Sequence, residues 1–244
     1  MERRLLRCED LVVGYDGQAL LPPMSATIRP GRFLAVIGRN GAGKSTWIRT
    51  LLGLLRPLSG RVRREPAGLR LAYIPQRSSY DPIVPLQAET VVRMGLERRG
   101  SFLRPGFARR REDRVVAAME SAGCAELRGH CFRTLSEGQK QKVLLARVLA
   151  GDPAIAFFDE PTAAMDVVAE AEALSRLDAL RRDRGIGLVV VSHFLEVAAR
   201  HADSVVFLDR DDQVALVGAP GEVLADPRFV ARYGDHARAA LEGR

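Results

Sequence analysis

Gly38-Arg39-Asn40-Gly41-Ala42-Gly43-Lys44-Ser45-Thr46 decides how the rest of this chain is read. It has the spacing G-x-x-x-x-G-K-[ST], in which glycines let successive backbone N–H groups converge on phosphate oxygens. The apolar run Phe33-Leu34-Ala35-Val36-Ile37 before it reads as a buried strand, and Thr46 to Leu52 after it reads as a helix. Strand, glycine turn and helix in that order give the loop its physical sense, because the helix adds its positive N-terminal end to the phosphate site. In such a loop Lys44 reaches the β- and γ-phosphates of a nucleoside triphosphate, and the Ser45 hydroxyl can ligate Mg²⁺.

Two further stretches extend this reading. Ile155 to Glu160 is a buried strand candidate that ends in two carboxylates, Asp159 and Glu160. On a strand neighbouring the phosphate loop, Asp159 would face Mg²⁺ and Glu160 would polarise an attacking water. Leu135-Ser136-Glu137-Gly138-Gln139 leads into a helix, with Ser136 suited to the N-cap and Gly138 removing bulk near the helix start. That is a second anion-binding helix start in one chain.

The 244 residues, 47% of them hydrophobic, suffice for one large α/β domain with a subdomain. No apolar stretch approaches the roughly 18 residues of a membrane span. The N-terminus breaks into charge too early for a signal peptide, so a cytosolic location is expected. Cys8, Cys124 and Cys131 are odd in number and lack C-x-x-C spacing, which argues against a disulfide framework and a zinc site. The net charge of +7 raises the question of a nucleic-acid partner. However, only three of the 37 basic residues are lysine, a skew expected of a GC-rich genome, and no row of aromatics accompanies the arginines. No nucleic-acid partner is therefore expected.

Turn signals at Tyr15-Asp16-Gly17 and Arg29-Pro30-Gly31 divide residues 3–37 into short strands, and Pro57-Leu58-Ser59-Gly60 reads as a turn. Leu69 to Ile74 reads as another strand. Helices are expected over Leu86 to Leu96, Ala108 to Ala122 and Ser136 to Ala150, and a basic stretch including Arg98, Arg104 and Arg111 separates the first two. Val167, Ala171, Leu174, Leu177 and Leu180 recur at helical spacing. Buried strands over Ile186 to Val191, Ser204 to Leu208 and Val214 to Val217 complete a largely parallel sheet with helices on both faces.

Taken together these residues resemble the ATP-binding subunit of an ABC transporter. The Ser136 segment is similar to that family's signature, Asp159-Glu160 to its Walker B pair, and Tyr15 to the aromatic that stacks on adenine. Gln76 resembles the Q-loop glutamine, Asp166 in Ala164-Met165-Asp166 the D-loop aspartate, and His193 the switch histidine. The resemblance implies an α/β P-loop NTPase (RecA-like) core with a parallel sheet, an N-terminal antiparallel β subdomain and an inserted helical subdomain. The core would span 1–75 and 152–222, the helical part 76–151 and a helical tail 223–244.

The resemblance also implies that ATP and Mg²⁺ are bound. Gly38, Asn40, Gly41, Ala42, Gly43, Lys44, Ser45 and Thr46 would line the nucleotide beside Tyr15, and Ser45, Gln76 and Asp159 would surround Mg²⁺. Lys44, Glu160, His193 and Gln76 would carry catalysis. Two subunits would close head-to-tail, so that Ser136, Gly138 and Gln139 complete the partner's site. The implied partners are a second ATPase subunit, an integral membrane permease and, indirectly, an extracytoplasmic solute-binding protein, with the chain peripheral on the cytoplasmic face of the inner membrane.

Two departures stand out. Glu137 occupies a position where the family most often has glycine, and it is expected to face outward or pair with Lys140 or Arg147. The D-loop reads Ala-Ala-Met-Asp. The stretch Tyr73 to Pro82, with Pro85 and Val91-Val92-Arg93-Met94-Gly95, resembles the zinc or manganese branch of importers. An iron-siderophore or haem importer is the alternative. An ABC ATPase acting on ribosomes or DNA is less compatible with one ATPase domain and no sustained heptads.

Overall fold

In the computed structural model the described residues are 5–75, 85–97, 107–160, 175, 177–179, 181–192, 195 and 200–234, with side chains in the third stretch described from Arg111 onward. The chain opens with strands β1 (Leu5–Val12), β2 (Gly14–Tyr15), β3 (Gln18–Ala19), β4 (Met24–Ile28) and β5 (Phe33–Ile37). Asp16 and Gly17 both have positive φ, the geometry of a tight hairpin turn, and they fold β2 onto β3. Helix α1 (Lys44–Leu51) follows the phosphate loop, and β6 (Ser59–Glu65) and β7 (Leu71–Ile74) come next.

The second half begins with α2 (Ala88–Arg93), α3 (Phe107–Ser121) and α4 (Glu137–Gly151). It continues through β8 (Ile155–Asp159), β9 (Gly187–Val191), β10 (Ser204–Asp209) and β11 (Val214–Gly218), then α5 (Pro220–Ala225) and α6 (Pro227–Tyr233).

The main sheet has the order β11-β10-β5-β9-β8-β7, parallel except for β11. Its strands are apolar at successive positions because both faces are covered. Phe33, Ala35 and Ile37 of β5 share a core with Leu188, Val190, Phe207 and the buried residues of α5 and α6. Leu34 and Val36 face the other way, against Trp47, Ile48 and Leu51 of α1 and the inner face of a small antiparallel sheet, β4-β1-β6. Each large aliphatic or aromatic side chain sealed here contributes about 1.5–3 kcal/mol of burial free energy.

Helices α2, α3 and α4 enclose a third core that includes Val91, Val92, Met119, Leu127, Phe132 and Val143. Leu144 and Leu145 of α4 pack against both this cluster and the sheet core, so α4 ties the helical layer to the sheet.

Three local outcomes differ from the sequence reading. Residues 59–65 form a strand, where only a turn was expected. Ser-Gly-Arg-Val-Arg-Arg-Glu carries no apolar alternation because β6 is a sheet edge with an exposed face, and charge there blocks further pairing. The first expected helix shortens to Ala88–Arg93 and tightens into a 3₁₀ turn at Met94–Leu96. The cause is close packing at Gly95, where an added Cβ would lie 2.1 Å from the Arg147 carbonyl on α4. Finally, β8 does not neighbour β5, because β9 lies between them.

Candidate nucleotide site

The carboxyl ends of β5, β9 and β8 are level, with Val36 opposite Val191 and Val191 opposite Asp159. Ligands in open α/β sheets bind at such strand ends. With β9 intervening, Asp159 lies two inter-strand spacings from β5, roughly 10 Å. Helix α1, packed across the sheet face, bridges this gap and brings the Ser45 hydroxyl near enough to the Asp159 carboxylate to favour its charged form. The expected Mg²⁺ pair is therefore assembled by a helix crossing the sheet rather than by adjacent strands.

An open cleft of about 690 Å³ lies over these strand ends. It is lined by Asn40, Gly41, Ala42, Gly43, Lys44, Ser45 and Thr46 on one side, and Tyr15 and Glu160 also border it. The loop's curvature needs its glycines. A Cβ on Gly38 would sit 2.4 Å from the Leu208 carbonyl, and Gly43, at φ 94°, caps α1 in the left-handed region.

Lys44 is 5% exposed, and its Nζ donates to the carbonyls of Gly38 (2.7 Å) and Arg39 (2.9 Å). Glu160 Oε1 lies 3.8 Å from that ammonium group. Burial pulls the Lys44 pKa below the ordinary lysine range, and the charges of Glu160 and Asp159 restore part of the fall. Glu160 has φ 52°, a left-handed conformation that costs a non-glycine residue and is characteristic of functional positions. It turns the chain at the end of β8 so that the Glu160 carboxylate borders the cleft.

Asp159 is 1% exposed, and its Oδ2 accepts a 3.2 Å bond from the Tyr73 hydroxyl. Its Oδ1 is buried without a hydrogen-bond partner. Burial pushes this carboxyl above the ordinary aspartate range, the hydroxyls of Ser45 and Tyr73 offset part of the rise, and the Glu160 charge adds to it. The nearby Arg49 guanidinium adds a favourable charge to Asp159. At the cleft rim, Tyr15 is 45% exposed and its hydroxyl lies 3.0 Å from Thr46 Oγ1.

The signature segment lies elsewhere. Ser136 caps α4 in a capping box: its Oγ accepts from the Gln139 N–H at 3.3 Å, and Gln139 Oε1 accepts from the Ser136 N–H at 2.9 Å. Gln139's side chain is thus occupied within the chain. Ser136 and Gly138 are exposed, and a Cβ on Gly138 would meet nothing within 4 Å. Glu137 turns to Lys140, with Oε1 and Nζ 3.1 Å apart, as one of the two expected pairings.

Sequence reasoning missed Asp16, Gln18, Leu20 and Arg210 as lining residues, and Arg49 and Tyr73 as the support of Asp159. Tyr73 stood inside a quoted motif, but nothing in its spacing pointed to the carboxylate. Gln76, Asp166 and His193 lie outside the described residues.

The two buried thiols, Cys8 and Cys124, are shifted upward by burial, Cys124 to about 11, so both are neutral. Among the described residues no cluster of metal-ligating side chains occurs and no helix is long and apolar enough to cross a membrane.

Comparison with known proteins places this geometry in a family. The family profile described as ABC transporter matches residues 21–163. The zinc import ATP-binding protein ZnuC of Pseudomonas fluorescens strain Pf0-1 is 37% identical over 237 residues, 97% of this chain and 85% of that protein. The protein of the same name from Yersinia enterocolitica is 35% identical, covering 94% of this chain and 85% of its own length. Among solved structures, an ABC transporter assigned to the metal-chelate type, captured facing inward, superposes with a TM-score of 0.82. It is 25% identical, and the match covers 95% of this chain and 88% of that one. The cleft, the loop and these relatives agree, and the chain belongs to the ABC transporter family as an ATP-binding, ATP-hydrolysing subunit.

Proposed function

We propose that this ATPase powers the import of zinc. The observation that carries the cargo is that relatives from two genera, matched over nearly the whole chain, are zinc import ATP-binding proteins. In this reading the chain sits on the cytoplasmic face of the membrane, paired head-to-tail with a second copy and docked on a permease fed by an extracytoplasmic binding protein. The core spans 1–75 and 152–222, the helical part 76–151 and the tail 223–244.

Within the site, the loop N–H groups and Lys44 hold the β- and γ-phosphates. Tyr15, held at the rim by Thr46, offers its ring to the adenine. Glu160 accepts the proton of the attacking water. Mg²⁺ fits the residues present: Asp159 carries a buried, unpartnered oxygen with the Ser45 hydroxyl nearby, a donor set of hard oxygens. Ser45, Asp159 and Gln76 would hold the ion, which when bound supplies charge neutralisation at the phosphates. Ser136 and Gly138 belong to the partner's site, a role supported by their exposure and by the empty space around Gly138. His193 contacts the γ-phosphate, and Asp166 lies at the pair's interface.

Zinc uptake in the native host tests the reading. Deleting the gene should abolish high-affinity uptake of radioactive zinc. Restoring the wild-type chain should recover it, and restoring Glu160→Gln should not. Loss of manganese or iron uptake with zinc uptake intact would overturn the cargo and leave the ATPase standing.

A further inference from the structure

The turn between β10 and β11 carries a feature that the phosphate-loop motif does not predict. Arg210 sits there, exposed, and lines the same cleft as Lys44 and Tyr15. No described residue pairs with its guanidinium, although hydrogen bonds and ion pairs hold the residues on either side of it. Asp209, 4% exposed, accepts at Oδ1 from the backbone N–H groups of Asp211 (3.0 Å) and Asp212 (3.3 Å). Arg232 of α6 approaches this carboxylate with Nε 2.6 Å from Oδ2, and it donates to Asp211 Oδ2 at 2.6 Å. Gln213 Nε2 donates to the Arg210 carbonyl (2.8 Å) and to the Leu20 carbonyl (3.1 Å), which ties the turn to the cleft's other wall. Arg39 of the phosphate loop lies 3.8 Å from Asp211.

We propose that Arg210 is a nucleotide-binding residue, a second cation that the braced turn holds toward the polyphosphate of bound ATP, with Arg232 as its positioning residue. A guanidinium suits this task because it presents several N–H donors to anionic oxygens and cannot lose its charge. Each carboxylate of the turn lies within 4 Å of an arginine, all three beside Arg232 and Asp211 also beside Arg39, while Arg210 borders the cleft. The inference rests on the cleft being the ATP site.

Calorimetric titration of the purified chain with Mg-ATP, at low and high salt, tests both. Arg210→Gln should weaken binding about five- to tenfold at low salt, and Arg210→Lys should recover part of the loss. The loss should shrink at high salt as screening removes the charge term. Arg232→Gln should weaken binding about threefold, and the double variant should bind no worse than Arg210→Gln alone, because both act through one contact.

Arg210→Gln binding within twofold of wild type would overturn the assignment, and additive losses in the double variant would overturn the positioning role. Lys44→Ala separates the premises. If it abolishes binding while Arg210→Gln does not weaken it, only the new residue fails; if it binds as wild type, the site itself is misplaced.

Discussion

At the phosphate loop, the start of α1 is enclosed: Lys44 is buried, Gly38 is pressed against a neighbouring carbonyl, and Glu160 closes one side. At Ser136–Gln139, the start of α4 has the same helix polarity and a complete capping box, yet a Cβ on Gly138 would meet nothing within 4 Å. Both ends present N–H groups suited to an anion. The first is walled by residues of the same chain. The second is rigidified by its capping box and left exposed at Ser136 and Gly138, which agrees with the proposed completion by a second subunit. Glycine illustrates the contrast. Gly38 is required by its own fold, whereas Gly138 has no steric reason within this chain to be glycine.

The most severe test of this contrast is Glu160→Gln. It should reduce ATP turnover by about 10²–10⁴-fold, the usual span for a general base. ATP should still bind, and gel filtration with Mg-ATP should then reveal a nucleotide-dependent pair. Turnover near wild type would remove Glu160 from the chemistry.

Gly138→Asp comes next. An acid in the first turn of a helix favours folding, so the melting temperature should hold or rise slightly. A carboxylate facing the partner's γ-phosphate should nevertheless lower turnover by about 10²-fold. Gly38→Ala should do the reverse in kind, costing about 1–3 kcal/mol of stability through the clash with Leu208. If Gly138→Asp unfolds the chain, or leaves turnover intact, the two glycines are not distinct in the way described.

Asp159→Asn probes the enclosed side through pH. The folded-state pKa of Asp159 is raised, chiefly by burial. Its contribution to stability is therefore fully present below the ordinary aspartate range and is lost as pH rises through the raised value. In metal-free, nucleotide-free buffer the variant should melt above wild type at pH 7, and the gap should narrow toward pH 4. A gap that widens on acidification would contradict the burial of an uncompensated carboxylate.

The smallest effect belongs to Glu137→Gly on the open side. The Lys140 pair is part-exposed and spaced i,i+3, so its loss removes about 0.2–0.5 kcal/mol. The glycine adds roughly 1 kcal/mol of helix cost, measurable by thermal denaturation. ATP turnover should change less than twofold; a strong rise would mean that Glu137 faces the phosphate after all.

Most of this architecture could be read along the chain. Loop spacing, the apolar strand Phe33–Ile37, the apolar strand Ile155–Asp159 up to its terminal carboxylate, and the long amphipathic helices are local signals, because backbone conformation and burial on both faces leave their marks on neighbouring residues. Strand β6 escaped because an exposed sheet edge is written in arginine, and the break at Gly95 escaped because its cause, the Arg147 carbonyl, lies on another helix.

The sequence by itself therefore determined the phosphate loop, the acidic strand end and the family. The tertiary structure decided the strand order that puts β9 between β5 and β8, and the crossing of α1 that brings Ser45 to Asp159. It also decided the Tyr73–Asp159 hydrogen bond and the braced turn that sets Arg210 at the cleft. The division follows from the physics. A motif is a constraint among residues adjacent in the chain, whereas a site is a constraint among residues adjacent in space, and only packing converts one into the other.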